Sequence, residues 1–141
     1  MNFNPFKWKG AKRQKPLLLH ADDEEVNTAL VRAILEDLPI EIVNAEDGAG
    51  AVQKARSLMP ELILLDVQMP GLDGLDACSM IKKDPKTAPI PVYMLTALDR
   101  LKDMEKAIAW GANGYLTKPI EPAKLAALVT KILLPSAPAP Q

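Results

Sequence analysis

The sequence predicts an α/β protein in which five βα units, (βα)5, wind around a parallel five-stranded sheet. Three observations carry this. From Leu17 to Leu134 short apolar runs alternate with stretches of helical periodicity, the order in which strands and crossover helices follow one another in a parallel sheet. The third short run, Leu62-Ile63-Leu64-Leu65, is apolar at every position, as a central strand covered on both faces must be. Pro and Gly fall at the junctions, as Pro39, Pro60, Pro70, Gly71, Gly74 and Gly111.

The first strand reads Leu17-Leu18-Leu19-His20-Ala21, and the helix after it carries Val26, Ala29, Leu30, Ala33 and Ile34 at spacings of three and four. Pro39 marks the turn out of it. Ile40 to Val43 form the second strand, and Val52, Ala55, Leu58 and Met59 the apolar face of the second helix, closed by Pro60. After the central strand a loop with Pro70, Gly71 and Gly74 leads into a helix bearing Leu75, Cys78 and Ile81. Ile90 to Leu95 make the fourth strand, with Pro91 near its start, where a missing N–H does least harm. A helix with Leu101, Met104, Ala107 and Ile108 stops at Gly111, and a short strand covers Tyr115 to Thr117. Leu125, Leu128, Val129, Ile132 and Leu133 form the last helical face.

At 141 residues the chain holds one domain with short appendages: a basic extension over 1–16, the domain over 17–134 and a Pro/Ala-rich tail over 135–141. Its composition, 48% hydrophobic and 25% charged, is that of a globular protein and excludes a disordered chain or a fibre. The net charge of -1 gives no overall pull toward nucleic acid, yet it conceals an asymmetry. Residues 1–16 hold Lys7, Lys9, Lys12, Arg13 and Lys15 and no acid, while the remainder carries 12 bases against 18 acids. A single cysteine, Cys78, cannot form an internal disulfide, and no signal peptide or 18–20-residue apolar span is present, so a reducing, cytoplasmic setting is expected.

In an open α/β sheet, ligands bind beyond the carboxyl ends of the strands. The residues there are Asp22 and Asp23 after the first strand, Asp66 after the third, Thr96 at the end of the fourth and Lys118-Pro119 at the end of the fifth. Carboxylates about 5 Å apart repel by roughly 3 kcal/mol at an effective dielectric near 20, so the cluster needs a cation. Hard oxygen donors with few protein contacts suit Mg²⁺, which keeps several waters and completes its shell with phosphate oxygens. Lys118 adds a positive charge for an anion and Thr96 a hydrogen-bond donor. Singly, Asp22-Asp23-Glu24-Glu25 reads as helix N-terminal charge, Asp66 as a turn residue, Thr96 as an ordinary strand residue and Lys118 as a solvated cation. Their placement on successive strand ends of one edge favours a site where a carboxylate accepts a phosphoryl group.

The stretch Leu62-Ile-Leu-Leu-Asp-Val-Gln-Met-Pro-Gly-Leu-Asp-Gly74 resembles the phosphoacceptor strand and loop of response regulator receiver domains. Asp22-Asp23, Thr96-Ala97 and Lys118-Pro119 match the remaining family motifs in order, and the resemblance covers about residues 17–134. It implies a flavodoxin-like, CheY-like doubly wound sheet of order 2-1-3-4-5, in a stand-alone response regulator of a two-component phosphorelay. Asp66 would be phosphorylated by a sensor histidine kinase or a histidine phosphotransfer protein. Asp23, Asp66 and the Gln68 backbone carbonyl would ligate Mg²⁺, Asp22 would help through water, and Lys118 and Thr96 would hold the phosphoryl oxygens. The family's peptide before Pro119 is usually cis, aiming Lys118 inward. Thr96 and Tyr115 would form the switch, altering the face made by the fourth helix, fifth strand and fifth helix, through which a downstream protein or a second copy would bind. Ala97 leaves room for the phosphoryl group, while Gln68 and Leu98 flank the path of attacking water and would set the lifetime of the phosphorylated state. The chain would thus be a phosphoacceptor with self-catalysed transfer and dephosphorylation, not a conventional enzyme.

A degenerate receiver serving as a constitutive interaction scaffold is the alternative; its hallmark, loss of the acid pair, Asp66 or Lys118, is absent. A Mg²⁺ phosphatase with an aspartyl nucleophile would need a second aspartate two residues after Asp66, where Gln68 stands. No Gly-x-x-x-x-Gly-Lys motif follows a strand, which removes P-loop nucleotide binding. His20 replaces a usual apolar residue and reads as a packed or hydrogen-bonded strand histidine rather than a phosphohistidine, Cys78 as a small buried hydrophobe, and Met69 and Met80 as loop and packing residues. Phe3, Phe6 and Trp8 among the leader's cations would suit an anionic membrane surface, but Pro5 and Gly10 interrupt them and a disordered arm is the better reading.

Overall fold

A computed structural model describes residues 13–136. The part of the basic extension before Arg13 and the tail after Ser136 lie outside the described residues. The strands are β1 (Leu17–Ala21), β2 (Glu41–Ala45), β3 (Leu62–Asp66), β4 (Val92–Ala97) and β5 (Gly114–Lys118). The helices are α1 (Glu25–Ile34), α2 (Gly48–Leu58), α3 (Gly74–Lys83), α4 (Asp103–Ala109) and α5 (Pro122–Leu133), with a 3₁₀ turn over Leu98–Arg100. All strand pairs are parallel, in the order β2-β1-β3-β4-β5, the order expected.

Strand alternation divides the core in two. Leu19, Ala21, Ile63, Leu65, Val92 and Met94 face one side, where α2, α3 and α4 cover them with Ala55, Cys78 and Ala107 among others. Leu18, Leu62, Leu64 and Leu95 face the other, under Val31 and Leu35 at the end of α1 and Leu125, Val129 and Leu133 of α5. Every residue of β1 and β3 is buried, which is why both read as continuous apolar runs apart from His20 and Asp66.

Four helical faces differ from the sequence reading. In α2, Val52 and Ala55 are buried as expected, but Leu58 at its last turn and Met59 just past it are exposed, because the helix packs through its first two turns. Helix α1 buries Val31 and Leu35, whereas Val26 and Leu30 are 76% and 40% exposed. The helix packs through its C-terminal half, so apolar spacing at its start fixed the wrong stripe. Met80 of α3, expected to pack, is 49% exposed, because Ala77, Cys78 and Ile81 already fill the contact with the sheet. Leu101 precedes α4, and both it and Ile108 are exposed. Strands β2 and β4 run two residues further than expected, to Ala45 and Ala97.

The described end of the basic extension is held against the domain. Arg13 Nη1 donates to both carboxylate oxygens of Glu61, at 2.6 and 3.0 Å, and Arg13 Nη2 donates to the carbonyls of Leu58 and Met59 at the C-terminal end of α2. Glu61 also accepts from the Leu17 N–H at 2.9 Å, tying the entry of β1 to that of β3.

Candidate functional site

Chain order leaves β1 for β2 and returns across it to β3, so the crevice beyond the carboxyl ends of β1 and β3 is the switch point at which such sheets bind ligands. Asp22 follows β1 and Asp66 ends β3, one on each side of it. A carboxylate oxygen of each of Asp22, Asp23 and Asp66 lies within 4.8 Å of the others. Asp22 and Asp66 are buried and Asp23 is exposed, so the cluster has a closed floor and an open mouth. Above it lies a cleft of about 460 Å³ lined by Asp23, Gln68, Met69, Pro70, Asp73 and Arg100.

Local backbone chemistry sets each acid. Asp22 Oδ1 accepts from the Glu24 N–H at 2.9 Å, so the acidic stretch does serve the start of α1 as well as the crevice. Asp66 Oδ1 accepts from the Gln68 N–H at 3.1 Å. Gly74 starts α3 and donates to the Val67 carbonyl at 2.9 Å. A Cβ on Gly74 would stand 2.0 Å from the Asp66 carbonyl oxygen, so only glycine lets α3 begin this close to the end of β3.

Lys118 enters from β5. Its peptide to Pro119 is cis, as the resemblance implied. Nζ lies 2.6 Å from Asp66 Oδ2 and 3.8 Å from Asp22 Oδ2. Burial pushes the Asp66 carboxyl above its ordinary pKa; the hydrogen bond and charge of Lys118 and the Gln68 N–H pull the other way, and the charge of Asp22 adds to the rise. One lysine beside three acids leaves negative charge over, and Asp22 Oδ2 is buried with no hydrogen-bond partner among the described residues. An all-oxygen donor set with one open side and a surplus of charge fits a hard divalent cation such as Mg²⁺.

Thr96 is buried beside the cluster and Oγ1 donates to the Ala97 carbonyl at 3.2 Å. Ala97 pairs in register with Lys118, and Thr96 with Thr117. Leu98 is 66% exposed at the start of the 3₁₀ turn, and Tyr115 of β5 points outward, 45% exposed. The structure thus gathers Asp22, Asp23, Asp66 and Lys118, sets Thr96, Ala97 and Gln68 around them and leaves Leu98 and Tyr115 on the outer surface.

The family model described as the response regulator receiver domain matches residues 18–130. The chain belongs to that family. Among curated relatives, the response regulator PleD of Caulobacter vibrioides is 42% identical over 115 residues, which are 82% of this chain and 25% of PleD. The receiver spans about a quarter of that relative's length. The receiver domain of the sensor histidine kinase PA1611 of Pseudomonas aeruginosa, solved with a magnesium ion in its active-site cleft, superposes with a TM-score of 0.76 at 29% identity, over 84% of this chain and 98% of that one. The chemotaxis response regulator CheY4 of Vibrio cholerae gives 0.77 at 28% identity, over 85% and 100%. The receiver is therefore a domain of two-component signalling, from a family that binds Mg²⁺ at its acidic site and works with histidine kinases and phosphotransfer partners. No helix among the described residues is long and apolar enough to cross a membrane.

Three features escaped the sequence reading: Gly74 as the spacer behind Asp66, Arg100 at the rim of the cleft, and the side-chain partners of His20. A glycine at the start of a predicted helix was the available signal for the first. His20 is fully buried, as expected of a packed strand residue, and burial lowers its pKa to about 4, with the charges of Lys118 and Arg32 adding to the fall and that of Asp66 opposing it.

Proposed function

We propose that this receiver accepts a phosphoryl group on Asp66 and signals the change to a protein partner. The observation that carries the reading is the position of Asp66: buried at the crevice, bonded to Lys118 at 2.6 Å, within 4.8 Å of two further carboxylates, below an open cleft. An isolated structural ion pair needs neither the second and third acid nor the opening.

An Asp66 carboxylate oxygen attacks the phosphorus of a phosphohistidine. The O–P bond forms as the P–N bond breaks, and the imidazole leaves to take a proton from water. Asp66 is fixed for attack because Oδ1 is held by the Gln68 N–H and Oδ2 by Lys118. Lys118 neutralises charge on the transferred group, so positioning and electrostatics carry the step. Asp23, Asp66 and the Gln68 carbonyl would hold Mg²⁺, with Asp22 acting through water. Bound there, Mg²⁺ supplies neutralisation of the phosphoryl oxygens and of the acidic cluster.

Thr96 then turns its hydroxyl from the Ala97 carbonyl to a phosphoryl oxygen, and Tyr115, outward in this structure, follows into the space. The face so altered already exposes apolar surface: Leu101, Ile108 and Tyr115 are 39–48% exposed around a groove of about 570 Å³. A downstream partner binds there.

Incubation with a small acyl phosphate and Mg²⁺, read by intact mass, tests the transfer. The expected result is one added phosphoryl group on the wild type and none on Asp66→Asn; an unmodified wild type, or equal modification of both, overturns it.

A further inference from the structure

His20 Nε2 and Asp22 Oδ2 are both buried without a hydrogen-bond partner among the described residues, and they face each other across 3.9 Å. The state of the imidazole follows from a chain of contacts that begins on α1. Arg32 donates to Asn44 Oδ1 from Nε at 3.0 Å and from Nη2 at 2.6 Å, which fixes that atom as the amide oxygen. The other end of the amide is therefore the NH₂ group, and it lies 3.4 Å from His20 Nδ1. An NH₂ group cannot accept, and its two hydrogens can serve both the His20 carbonyl and Nδ1, so Nδ1 is assigned as the acceptor and the ring proton to Nε2, the atom that faces Asp22.

We infer that His20 is a positioning residue for Asp22, donating its Nε2–H to Asp22 Oδ2 when the acidic cluster holds a divalent cation. Asp22 Oδ1 is already anchored by the Glu24 N–H, so a donor at Oδ2 fixes the carboxylate plane at both ends. It also settles a competition. Oδ2 lies 3.8 Å from Lys118 Nζ and 3.9 Å from His20 Nε2, and an Asp22 that turns to Lys118 draws the ammonium away from Asp66 and the phosphoryl group. A neutral donor at Oδ2 holds Asp22 without adding charge that would oppose the metal. Outer partners that orient a metal's carboxylates are worth about 10–100-fold in metal affinity. This inference rests on the reading of Asp22, Asp23 and Asp66 as a Mg²⁺ site.

Because His20 is the chain's one histidine, its ring nitrogens can be read without assignment ambiguity by proton–nitrogen correlation on labelled, unphosphorylated protein. The expected spectrum shows the Nε2–H tautomer, with the Nε2–H proton moving downfield as Mg²⁺ is added. Calorimetric titration with Mg²⁺ should give a Kd about tenfold weaker for His20→Leu, and within about threefold of wild type for His20→Gln, whose amide N–H reaches the same place. An Nδ1–H tautomer overturns the inference whether or not the variants fold. So does a folded His20→Leu with wild-type affinity, an outcome that leaves the Mg²⁺ site standing. A wild type that binds no Mg²⁺ overturns the site reading, and this inference with it.

Discussion

Lys118 Nζ donates to Asp66 Oδ2 at 2.6 Å, a bond that reaches across β4 to join the ends of β5 and β3, 52 residues apart in the chain. Under the proposed function the ammonium supplies positive charge both before and after phosphoryl transfer, so its removal should separate two properties that the site combines. Lys118→Ala should lower the rate of acyl-phosphate labelling of Asp66 by about 10²-fold, the usual cost of one preorganised charge at a reacting oxyanion. Mg²⁺ should bind the variant severalfold more tightly, because a competing cation has gone. Labelling kinetics and calorimetry on the same preparation check both; Mg²⁺ binding that weakens in parallel with labelling would show that Lys118 only holds the fold of the site.

Burial raises the Asp66 pKa above its ordinary value of 3.8 despite Lys118, so the ionised carboxylate costs folding stability. The contribution of such a group is fully present below the unfolded pKa and is lost as pH rises through the higher folded value. Asp66→Asn should therefore melt close to the wild type near pH 4 and above it at pH 7, by about 3–6 °C for each kcal/mol of burial cost relieved. Added Mg²⁺ should narrow the gap by stabilising only the wild type. Thermal unfolding at the two pH values decides it: a variant that melts lower at pH 7 means the Lys118 bond outweighs burial.

Parallel strands buried on both faces announced themselves, since β1 and β3 have almost no polar position to obscure them. The site was legible for the same reason. Asp66 stands at the end of four apolar residues, and the sheet order turns strand ends far apart in sequence into neighbours. Helix faces were less legible. Val26 has helical spacing with Leu30 and Ala33, yet the sheet lies under Val31 and Leu35, and only the angle at which α1 meets the sheet decides between the stripes. Contacts between elements were out of reach: nothing in the local sequence of His20, Asn44 or Arg32 indicates that β1, β2 and α1 would link them in one hydrogen-bonded chain.

Cys78 is fully buried, and burial pushes its thiol from 9.0 up to about 11, with the Lys82 ammonium acting in the opposite sense. At pH 8 the thiolate fraction is about a hundredfold below that of the unfolded chain, so a disulfide reagent should modify the native protein at least that much more slowly than the denatured one. The raised pKa also has a sign in stability: its contribution is present below pH 9 and lost as pH rises toward 11. Cys78→Ala should flatten that alkaline loss, measured as unfolding midpoint against pH. Prompt native-state modification at pH 8 would place the thiol nearer the surface than β3 and α3 allow.

Two glycines, Gly71 in the loop after β3 and Gly74 at the first position of α3, should respond differently to the same substitution. Gly71 has φ +68 with nothing within 4 Å of an added Cβ, so Gly71→Ala pays only the left-handed backbone cost of about 1 kcal/mol. At Gly74 the Cβ meets backbone alone, the Asp66 carbonyl at 2.0 and 2.8 Å and the Val67 Cα at 2.9 Å, and no flexible side chain can yield. Gly74→Ala must push α3 away from the end of β3 and turn Asp66 out of line with Asp22 and Lys118. Its expected cost is about 3 kcal/mol or more by denaturant unfolding, among the larger single-residue effects. Mg²⁺ affinity should fall more than tenfold in Gly74→Ala, while Gly71→Ala binds Mg²⁺ as the wild type does. Equal losses at the two positions would mean that the loop's backbone angles, rather than the approach of α3 to Asp66, set the geometry of the acidic cluster.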